Sequence, residues 1–231
     1  MTTHRKLAAI LSADAAGYSR LMADDEAATL RALNESRDLF RKRVETHDGR
    51  LIDTAGDSIL AKFPSAVEAV DCADEIQHEL AKRNSQLAEH RRMQFRIGIN
   101  LGDVIGQEDR TNYGDGVNVA ARIQALAEPG GICMSGTVFD QVEGKLPLQF
   151  KFTGEQQVKI IAKPVRAYQV LIDTPTANSQ PVRRVRRSVF AFGALRSLQR
   201  SSERYSGSAT RIAKPGDAEF QVLDLLMLFR A

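Results

Sequence analysis

The sequence has few of the features that mark secreted, membrane-spanning or nucleic-acid-binding proteins. Its two cysteines, Cys72 and Cys133, are too few for a disulfide framework, so a reducing cytoplasm is the expected location. No apolar run approaches the roughly 20 residues of a membrane span, and the N-terminus does not resemble a secretory signal. The formal charge of +3 gives no reason to expect nucleic acid as a partner.

Two common kinds of functional motif are also missing from the sequence. There is no Walker-type phosphate loop. The four histidines, His4, His47, His78 and His90, are scattered and do not have the spacing of a zinc site. His78 and His90 fall in a helical pattern, where a solvated face is the more common role for histidine. The sequence therefore predicts neither a P-loop nor a zinc cluster.

The composition of the chain changes near residue 173. Residues 1–173 alternate between short β-rich runs and longer helical patterns, and the 43% hydrophobic content is enough for a core. Residues 174–231 are rich in Arg and Ser, which predicts a basic linker and a disordered tail. The arginines within residues 183–187 could contact anionic lipid or a partner, but a solvated basic linker is the more common case.

The order of local patterns in the first part predicts an α+β fold. A buried strand ends at Asp14, a helical stretch follows it, and residues 51–63 have the pattern of a β-hairpin. A second long helix follows the hairpin, because Ser65 and Glu68 have the spacing of a capping box. Residues 93–106 then form one long strand or a strand pair.

The complete order is strand, helix, hairpin, helix, strand, followed by a short helix and further strands. This order is that of a ferredoxin-like βαββαβ core with an added helix and strands. We expect a sheet that contains antiparallel strands and is covered by helices on one face.

Asp14 and Asp57 are the first candidates for a functional site. In a βαββαβ sheet the first and third strands lie side by side and antiparallel, so the end of the first meets the start of the third. Asp14 ends the first strand, and Asp57 lies just before the third. Like charges repel unless a cation lies between them, and carboxylate oxygens suit Mg²⁺ or Mn²⁺. Either Asp alone is explained as a turn or capping residue, but their joint placement favours a two-metal site for displacement at phosphorus.

Two further patterns are compatible with a phosphate site. Small residues and Gly17 follow the first strand directly, where exposed backbone N–H groups could receive a polyphosphate. Asn118 and Arg122 are four residues apart on the short helix, so they share a face and could hold a sugar and a phosphoryl group. Taken alone, the first pattern is weak, and the second is more simply explained by an exposed Asn and a solvated Arg.

Five segments taken together resemble the catalytic domain of class III nucleotide cyclases, particularly the bacterial adenylate/guanylate cyclase type. They run from Lys6 to Ile172 in the order of the family: LSADAAGYSRL, GRLIDTAGDSILAKF, FRIGINLGDVIG, YGDGVNVAARIQALAEPGGICMS and VKIIAKPVRAYQV. The resemblance implies a homodimer with two composite sites at the subunit interface. Such a dimer converts a nucleoside triphosphate to a 3′,5′-cyclic monophosphate and pyrophosphate.

The resemblance also implies a role for each matched residue. Asp14 and Asp57 match the two metal-binding aspartates, and the backbone carbonyl of Ala15 would complete the shell of the second of two Mg²⁺ or Mn²⁺ ions. Asn118 matches the residue that orients the ribose, and Arg122 matches the one that stabilises the transition state, both contributed by the partner subunit. The residues matched to triphosphate contacts are Gly17, Tyr18, Ser19, Arg96 and Lys159.

Base recognition departs from the pattern of the family. Adenylate cyclases usually carry Lys four residues before the second metal aspartate, where this sequence has Asp53; the second base-reading position, seven residues before Asn118, is Thr111. Guanylate cyclases place Glu at the Lys position, and Asp53 resembles that arrangement with a shorter arm. Three interpretations follow: an adenylate cyclase that reads the base in another way, a guanine-using enzyme, or a weak or promiscuous cyclase.

An adenylate cyclase acting in cyclic-nucleotide signalling is the first hypothesis, and a guanylate cyclase is the next. A catalytically silent cyclase-like module, which binds nucleotide to regulate a neighbour, is an alternative from a different class and is supported by Asp53 at the Lys position. A palm-type nucleotidyltransferase shares the βαββαβ core and the paired aspartates. That reading is less well supported, because the domain has no basic template-binding surface.

Overall fold

The computed structural model describes residues 4–107, 110–112, 114–157 and 164–172. All the β-strands in these residues belong to one sheet. Its strands are β1 (His4–Ala15), β2 (Arg50–Asp53), β3 (Ser58–Phe63), β4 (Phe95–Gln107), β5 (Arg110–Asn112), β6 (Ile132–Ser135), β7 (Gln149–Gln156) and β8 (Val165–Leu171). The α-helices within the same residues are α1 (Tyr18–Asp24), α2 (Glu26–Thr46), α3 (Ala66–Asn84), α4 (Gly114–Gln124) and α5 (Gly136–Val142).

The strand order is β2-β3-β1-β4-β6-β8-β7, and β5 pairs with the end of β4. The neighbours β2 and β3, β3 and β1, and β1 and β4 are all antiparallel. With α1, α2 and α3 between them in the chain, these four strands form the βαββαβ core. Strand β6 runs parallel to β4, β8 pairs antiparallel with β6, and β7 pairs antiparallel with β8. The α+β, ferredoxin-like prediction with added strands is therefore confirmed.

Side-chain caps fix where the two long helices of the core begin. Asp25 accepts a hydrogen bond from a first-turn N–H of α2 at 2.9 Å, and Ser65 accepts one in α3 at 3.2 Å. Replacing such a cap by Ala typically costs about 1 kcal/mol. Glu68, which the capping-box pattern paired with Ser65, directs its carboxylate to His47 at 2.9 Å. The sequence thus located the start of α3 correctly but did not identify this contact of Glu68.

Successive side chains of β1 pack against helices on opposite faces of the sheet, so helices cover both faces. Ala9, Leu11 and Ala13 are fully buried in the main core together with residues of α2, α3 and α5. Ile10 projects from the opposite face and packs against Ala120 of α4. The prediction that helices cover one face is therefore wrong for α4. The continuous apolar run of β1 is the pattern of a strand buried on both sides.

The predicted boundary at residue 173 and the predicted basic tail at 174–231 lie outside the described residues, so both stay predictions. Among the helices that the structure describes, none has the length and apolar composition that crossing a bilayer requires.

Candidate active site

The ends of β1 and β3 bring Asp14 and Asp57 together. Asp14 lies opposite Ser58 in the β1–β3 ladder, and Asp57 directly precedes Ser58 in the chain. The carboxyl groups of the two aspartates are close enough to share a side-chain hydrogen bond. The convergence expected from the strand order is therefore present in the structure.

The surroundings of Asp14 raise the pKa of its carboxyl group above the ordinary value. Burial is the largest cause, followed by the negative charge of Asp57 and the hydrogen bond to it. Arg96, the partner of Asp14 across the β1–β4 ladder, and the Ser58 side chain lower the same pKa. The raising effects are larger than the lowering effects of Arg96 and Ser58. A bound cation would remove this repulsion.

The chemical groups at this position fit a divalent cation. Carboxylate and carbonyl oxygens are the ligands that Mg²⁺ and Mn²⁺ prefer, and the aspartate pair supplies the carboxylates. Strand β1 ends at Ala15, the residue after Asp14, and the backbone carbonyl of Ala15 is a further possible oxygen ligand at this position. Burial and the charge of Asp57 both raise the pKa of Asp14, so its ionised form is unfavourable without a nearby cation. These residues are therefore suited to the ions that the cyclase resemblance implies.

Arg37 of α2 holds the turn that carries Asp57, a role that the sequence pattern did not indicate. Its guanidinium donates hydrogen bonds to the carbonyl oxygen of Thr54, at 3.0 Å, and to that of Gly56. Gly56 has a φ of 59°, in the left-handed region that favours glycine and that a tight turn requires. A contact between a helix side chain and a distant turn has no local sequence signature, and Arg37 reads as a solvated helix residue.

The chain turns from β1 into α1 at Gly17, which has a φ of 68° and is the N-cap of α1. Tyr18 is the first residue of α1, and Ser19 is the second. The first N–H groups of this helix therefore follow directly after the strand that ends beside Asp14. The three residues matched to phosphate contacts lie in one turn next to the aspartate pair, and their role stays a prediction.

Glycines allow α4 to lie directly on β4. A Cβ atom on Gly98 would come within 2.3 Å of the carbonyl oxygen of Ala120, and one on Gly102 within 2.8 Å of the Cα of Gly116. Nδ2 of the buried Asn100 donates a hydrogen bond to the Gly116 carbonyl at 3.2 Å. Backbone contact and this hydrogen bond together fix the position of α4 on the sheet. The spacing of the glycines in GINLG is the sequence signal for this close approach.

Asn118 and Arg122 lie on α4 on the same side of the sheet as Asp14. Asp14 and Ile10 both occupy even positions of β1, so they project from the face on which α4 packs. Asn118 is exposed and Arg122 is half-buried, whereas Ile123 is buried against the sheet. The structure thus places the two α4 residues on one side with the aspartate pair. Their assignment to the partner subunit stays a prediction.

Arg96 and Asp53 lie at two flanks of the aspartate pair. Arg96 is half-buried beside Asp14, and its Nε atom makes no hydrogen bond to the described residues. Asp53 ends β2 and is exposed, and its carboxylate accepts a hydrogen bond from the N–H of Thr54 at 2.7 Å. The position of Arg96 is compatible with a phosphate contact, and an exposed carboxylate at residue 53 is accessible to a base.

Two other predicted residues stay untested. Thr111 lies in β5, where its backbone pairs with Gly106 of β4. Lys159 lies outside the described residues. Their roles in base recognition and phosphate contact stay predictions.

Residues 2–172 match the family described as the adenylate and guanylate cyclase catalytic domain. The chain belongs to this family. The resemblance inferred from the five sequence segments is confirmed, and the aspartate pair, the Gly17 turn and α4 are parts of a cyclase catalytic domain.

Three similar proteins show how far the likeness extends. "Putative adenylate cyclase 3" of Rhizobium meliloti (strain 1021) is 45% identical over 165 residues, which are 71% of this chain and 28% of that protein. An adenylate/guanylate cyclase/hydrolase from Silicibacter pomeroyi has a crystal structure with 39% identity and a TM-score of 0.69, covering 74% of this chain and 100% of the other. The crystal structure of the guanylyl cyclase Cya2 has 26% identity and a TM-score of 0.62, and the match covers 74% of this chain and 94% of the other. The chain therefore spans less than a third of the curated relative but all of the solved Silicibacter domain.

Proposed function

We propose that this cyclase domain converts ATP to 3′,5′-cyclic AMP and pyrophosphate by two-metal catalysis, for use in cyclic-nucleotide signalling. The observation that carries the proposal is the contact between the carboxyl groups of Asp14 and Asp57, beside Arg96. ATP is placed before GTP because the relative with 45% identity is named as an adenylate cyclase. The reaction forms a bond from the ribose 3′-oxygen to the α-phosphorus. The bond to the bridging oxygen breaks, and pyrophosphate leaves.

Asp14, Asp57 and the backbone carbonyl of Ala15 hold the two Mg²⁺ or Mn²⁺ ions in this proposal. Such ions, when bound, lower the pKa of the 3′-hydroxyl and neutralise the charge of the triphosphate. The protein supplies the ligands and keeps them in place. Arg37 contributes to this by fixing the turn on which Asp57 lies.

The other residues of the site position the nucleotide. Asn118 holds the ribose so that its 3′-oxygen is in line with the breaking bond, and Arg122 donates to the phosphate oxygens as charge develops there. Arg96 and Lys159 add positive charge for the triphosphate. The turn at residues 17–19 offers backbone N–H groups to the phosphates.

The active form in this proposal is a homodimer. Each site takes its aspartates from one subunit and its α4 residues from the other. The support is the family match together with the exposure of Asn118, which leaves its amide accessible to a second chain.

Product formation by the full, untagged chain tests the proposal. The protein is incubated with Mn²⁺ and either ATP or GTP, and the nucleotides are separated and quantified by chromatography. We expect cyclic AMP from the wild type and none from Asp57→Ala. Asp38→Ala, at an exposed position of α2 that pairs with Arg41, is the matched control and should retain activity. Absence of any cyclic product with both triphosphates would reject the proposal.

A guanylate cyclase is the second candidate, and Asp53 is the observation that favours it. Its carboxylate is exposed at the end of β2, where an acceptor for guanine N1–H and the amino group is accessible. Faster turnover of GTP than of ATP in the same assay would establish this candidate over the first. Tight nucleotide binding by calorimetry without product would instead indicate a silent regulatory module.

A further inference from the structure

A cluster of possible metal ligands lies where the end of α2 meets α3. His47 follows the last residue of α2 and is only 3% exposed. It faces Asp71 and Glu75 of α3, and the possible ligand atoms of the three residues lie within 4.8 Å of one another. The scattered histidines of the sequence did not predict this cluster, because its members are brought together only by the packing of the two helices.

The contacts of His47 determine which of its ring nitrogens is available. Nδ1 lies 2.9 Å from the carboxylate of Glu68. Nε2 is buried, lies 3.3 Å from Oε2 of Glu75, and makes no hydrogen bond of acceptable geometry within the described residues. Metal-binding histidines commonly donate their second N–H to a carboxylate, which fixes the tautomer and directs the other nitrogen to the metal. The contact between His47 and Glu68 has this arrangement.

Distance and charge at the cluster are both suited to a cation. Ligands about 2.0–2.1 Å from a tetrahedral Zn²⁺ ion are about 3.3 Å from one another, which is the separation of His47 Nε2 and Glu75 Oε2. Arg43 also pairs with this part of α3, at 3.0 Å from Oε2 of Glu75 and 2.6 Å from Glu79. The carboxylates of Glu68, Asp71 and Glu75 lie around His47, and negatively charged oxygen ligands of this kind suit a cation.

A doubly protonated His47 that pairs with two carboxylates is the alternative explanation. In that state an Nε2–H group would donate to Glu75, and the buried ring would be satisfied on both sides. The 3.3 Å contact does not have the geometry of that hydrogen bond. A buried ring nitrogen without a hydrogen bond is costly, and a metal ion would satisfy it.

We propose that His47, Asp71 and Glu75 bind one Zn²⁺ ion, with Glu68 as a positioning residue. An imidazole nitrogen in the ligand set favours Zn²⁺ over Mg²⁺ or Ca²⁺, which prefer oxygen ligands only. The ion joins the end of α2 to α3. The site is separate from the aspartate pair, because residue 49 packs against Phe63, at the opposite end of β3 from Asp57.

Zinc binding by untagged full-length chains tests this proposal without relying on cyclase activity. Asp57→Ala serves as the parent, so that the aspartate pair does not contribute, and Zn²⁺ is titrated against a chromophoric chelator. We expect one Zn²⁺ per parent chain, and a rise in Tm because the ion binds only the folded state. Glu68→Gln should weaken the affinity about 10–100-fold.

His47→Asn is the decisive variant, because the amide nitrogen can still donate to Glu68 while the Nε2 ligand is lost. Its affinity should fall further than that of Glu68→Gln, and Zn²⁺ should no longer raise its Tm. His90→Asn, at an exposed histidine, should bind like the parent. If His47→Asn does not fold, Asp71→Asn takes its place with the same expectation. A parent that binds no Zn²⁺, or unchanged binding in the variants of residues 47 and 71, would overturn the proposal.

Discussion

The carboxyl group of Asp14 lies within hydrogen-bonding reach of that of Asp57, and burial together with the charge of Asp57 raises the pKa of Asp14 above its ordinary value. The arrangement that suits a cation is therefore unfavourable in the metal-free protein. If the pair binds the ions as proposed, activity and stability are opposed at this position, as is common at catalytic sites.

Asp14→Asn should stabilise the metal-free protein and abolish turnover. Because the folded state raises the pKa of Asp14, it binds that proton more tightly than the unfolded state. The contribution of Asp14 to the stability of the metal-free protein therefore falls as the pH rises above the ordinary value of 3.8, and Asn removes this loss. Because Asp14 is partly exposed to solvent, Asp14→Asn should raise the free energy of unfolding near neutral pH by about 1 kcal/mol or less. One kcal/mol corresponds to about 2–4 °C in Tm.

Thermal unfolding in a chelator, near neutral pH and again near the ordinary pKa of aspartate, measures this effect. The advantage of Asp14→Asn should shrink at the lower pH. A variant that is less stable than the wild type at neutral pH would contradict the expected repulsion.

Arg37→Met should loosen the turn that carries Asp57. The change removes hydrogen bonds to the carbonyls of Thr54 and Gly56, at a cost of about 1–3 kcal/mol in the free energy of unfolding. We also expect a higher Mn²⁺ requirement for product formation, because Asp57, the proposed metal ligand on the turn, becomes less ordered. Urea unfolding and a Mn²⁺ titration of the activity measure the two effects. Arg41→Met, at an exposed arginine of the same helix, is the control and should change stability by less than about 0.5 kcal/mol.

The meeting of Asp14 and Asp57 could be predicted from sequence because it depends only on strand order, and strand order follows from the alternation of strand and helix patterns. The role of Arg37 could not, because its partners are backbone atoms of a turn that is distant in the chain. The group around His47 was missed for a similar reason, since helix packing rather than spacing creates it. The sequence did contain a sign that α4 covers the second face of the sheet, because the continuous apolar run of β1 is typical of a strand buried on both sides.

Gly98→Ala should displace α4 and lower activity. The added Cβ would lie 2.3 Å from both Ala120 O and Gln124 N, and backbone atoms cannot move aside as a flexible side chain does. Overpacking of this kind costs about 1–3 kcal/mol, and displaced α4 residues should reduce the rate at least about 10-fold. At Gly144, where a Cβ meets nothing within 4 Å but φ is 72°, Ala should reduce stability through backbone strain alone and leave the rate unchanged. Equal rates for the two variants would contradict the close packing of α4.

Asp53→Lys should shift the preference of the enzyme towards ATP. A lysine at this position donates to the adenine ring in the adenylate cyclases that the sequence resembles, and it cannot accept from guanine N1–H. One hydrogen bond gained or lost is worth about 1 kcal/mol, so we expect the ratio of kcat/KM for ATP to that for GTP to rise on the order of 10-fold. Asp53→Asn, which removes the charge alone, is the control. An unchanged ratio in Asp53→Lys would show that residue 53 does not contact the base.

Mixing two inactive variants tests whether each site is built from two chains. Asp57→Ala lacks a proposed metal ligand, and Arg122→Ala lacks the proposed phosphate donor, so a mixed dimer would contain one intact site and one doubly defective site. Random exchange in an equal mixture makes half of the dimers mixed, which predicts recovery of about a quarter of the wild-type activity. A mixture of Asp57→Ala with Asp14→Asn should recover nothing, because every site of its mixed dimers lacks one aspartate. Recovery confined to the first mixture requires the aspartates and α4 of a site to come from different subunits. No recovery in dimers that have exchanged would instead place both sets in one chain.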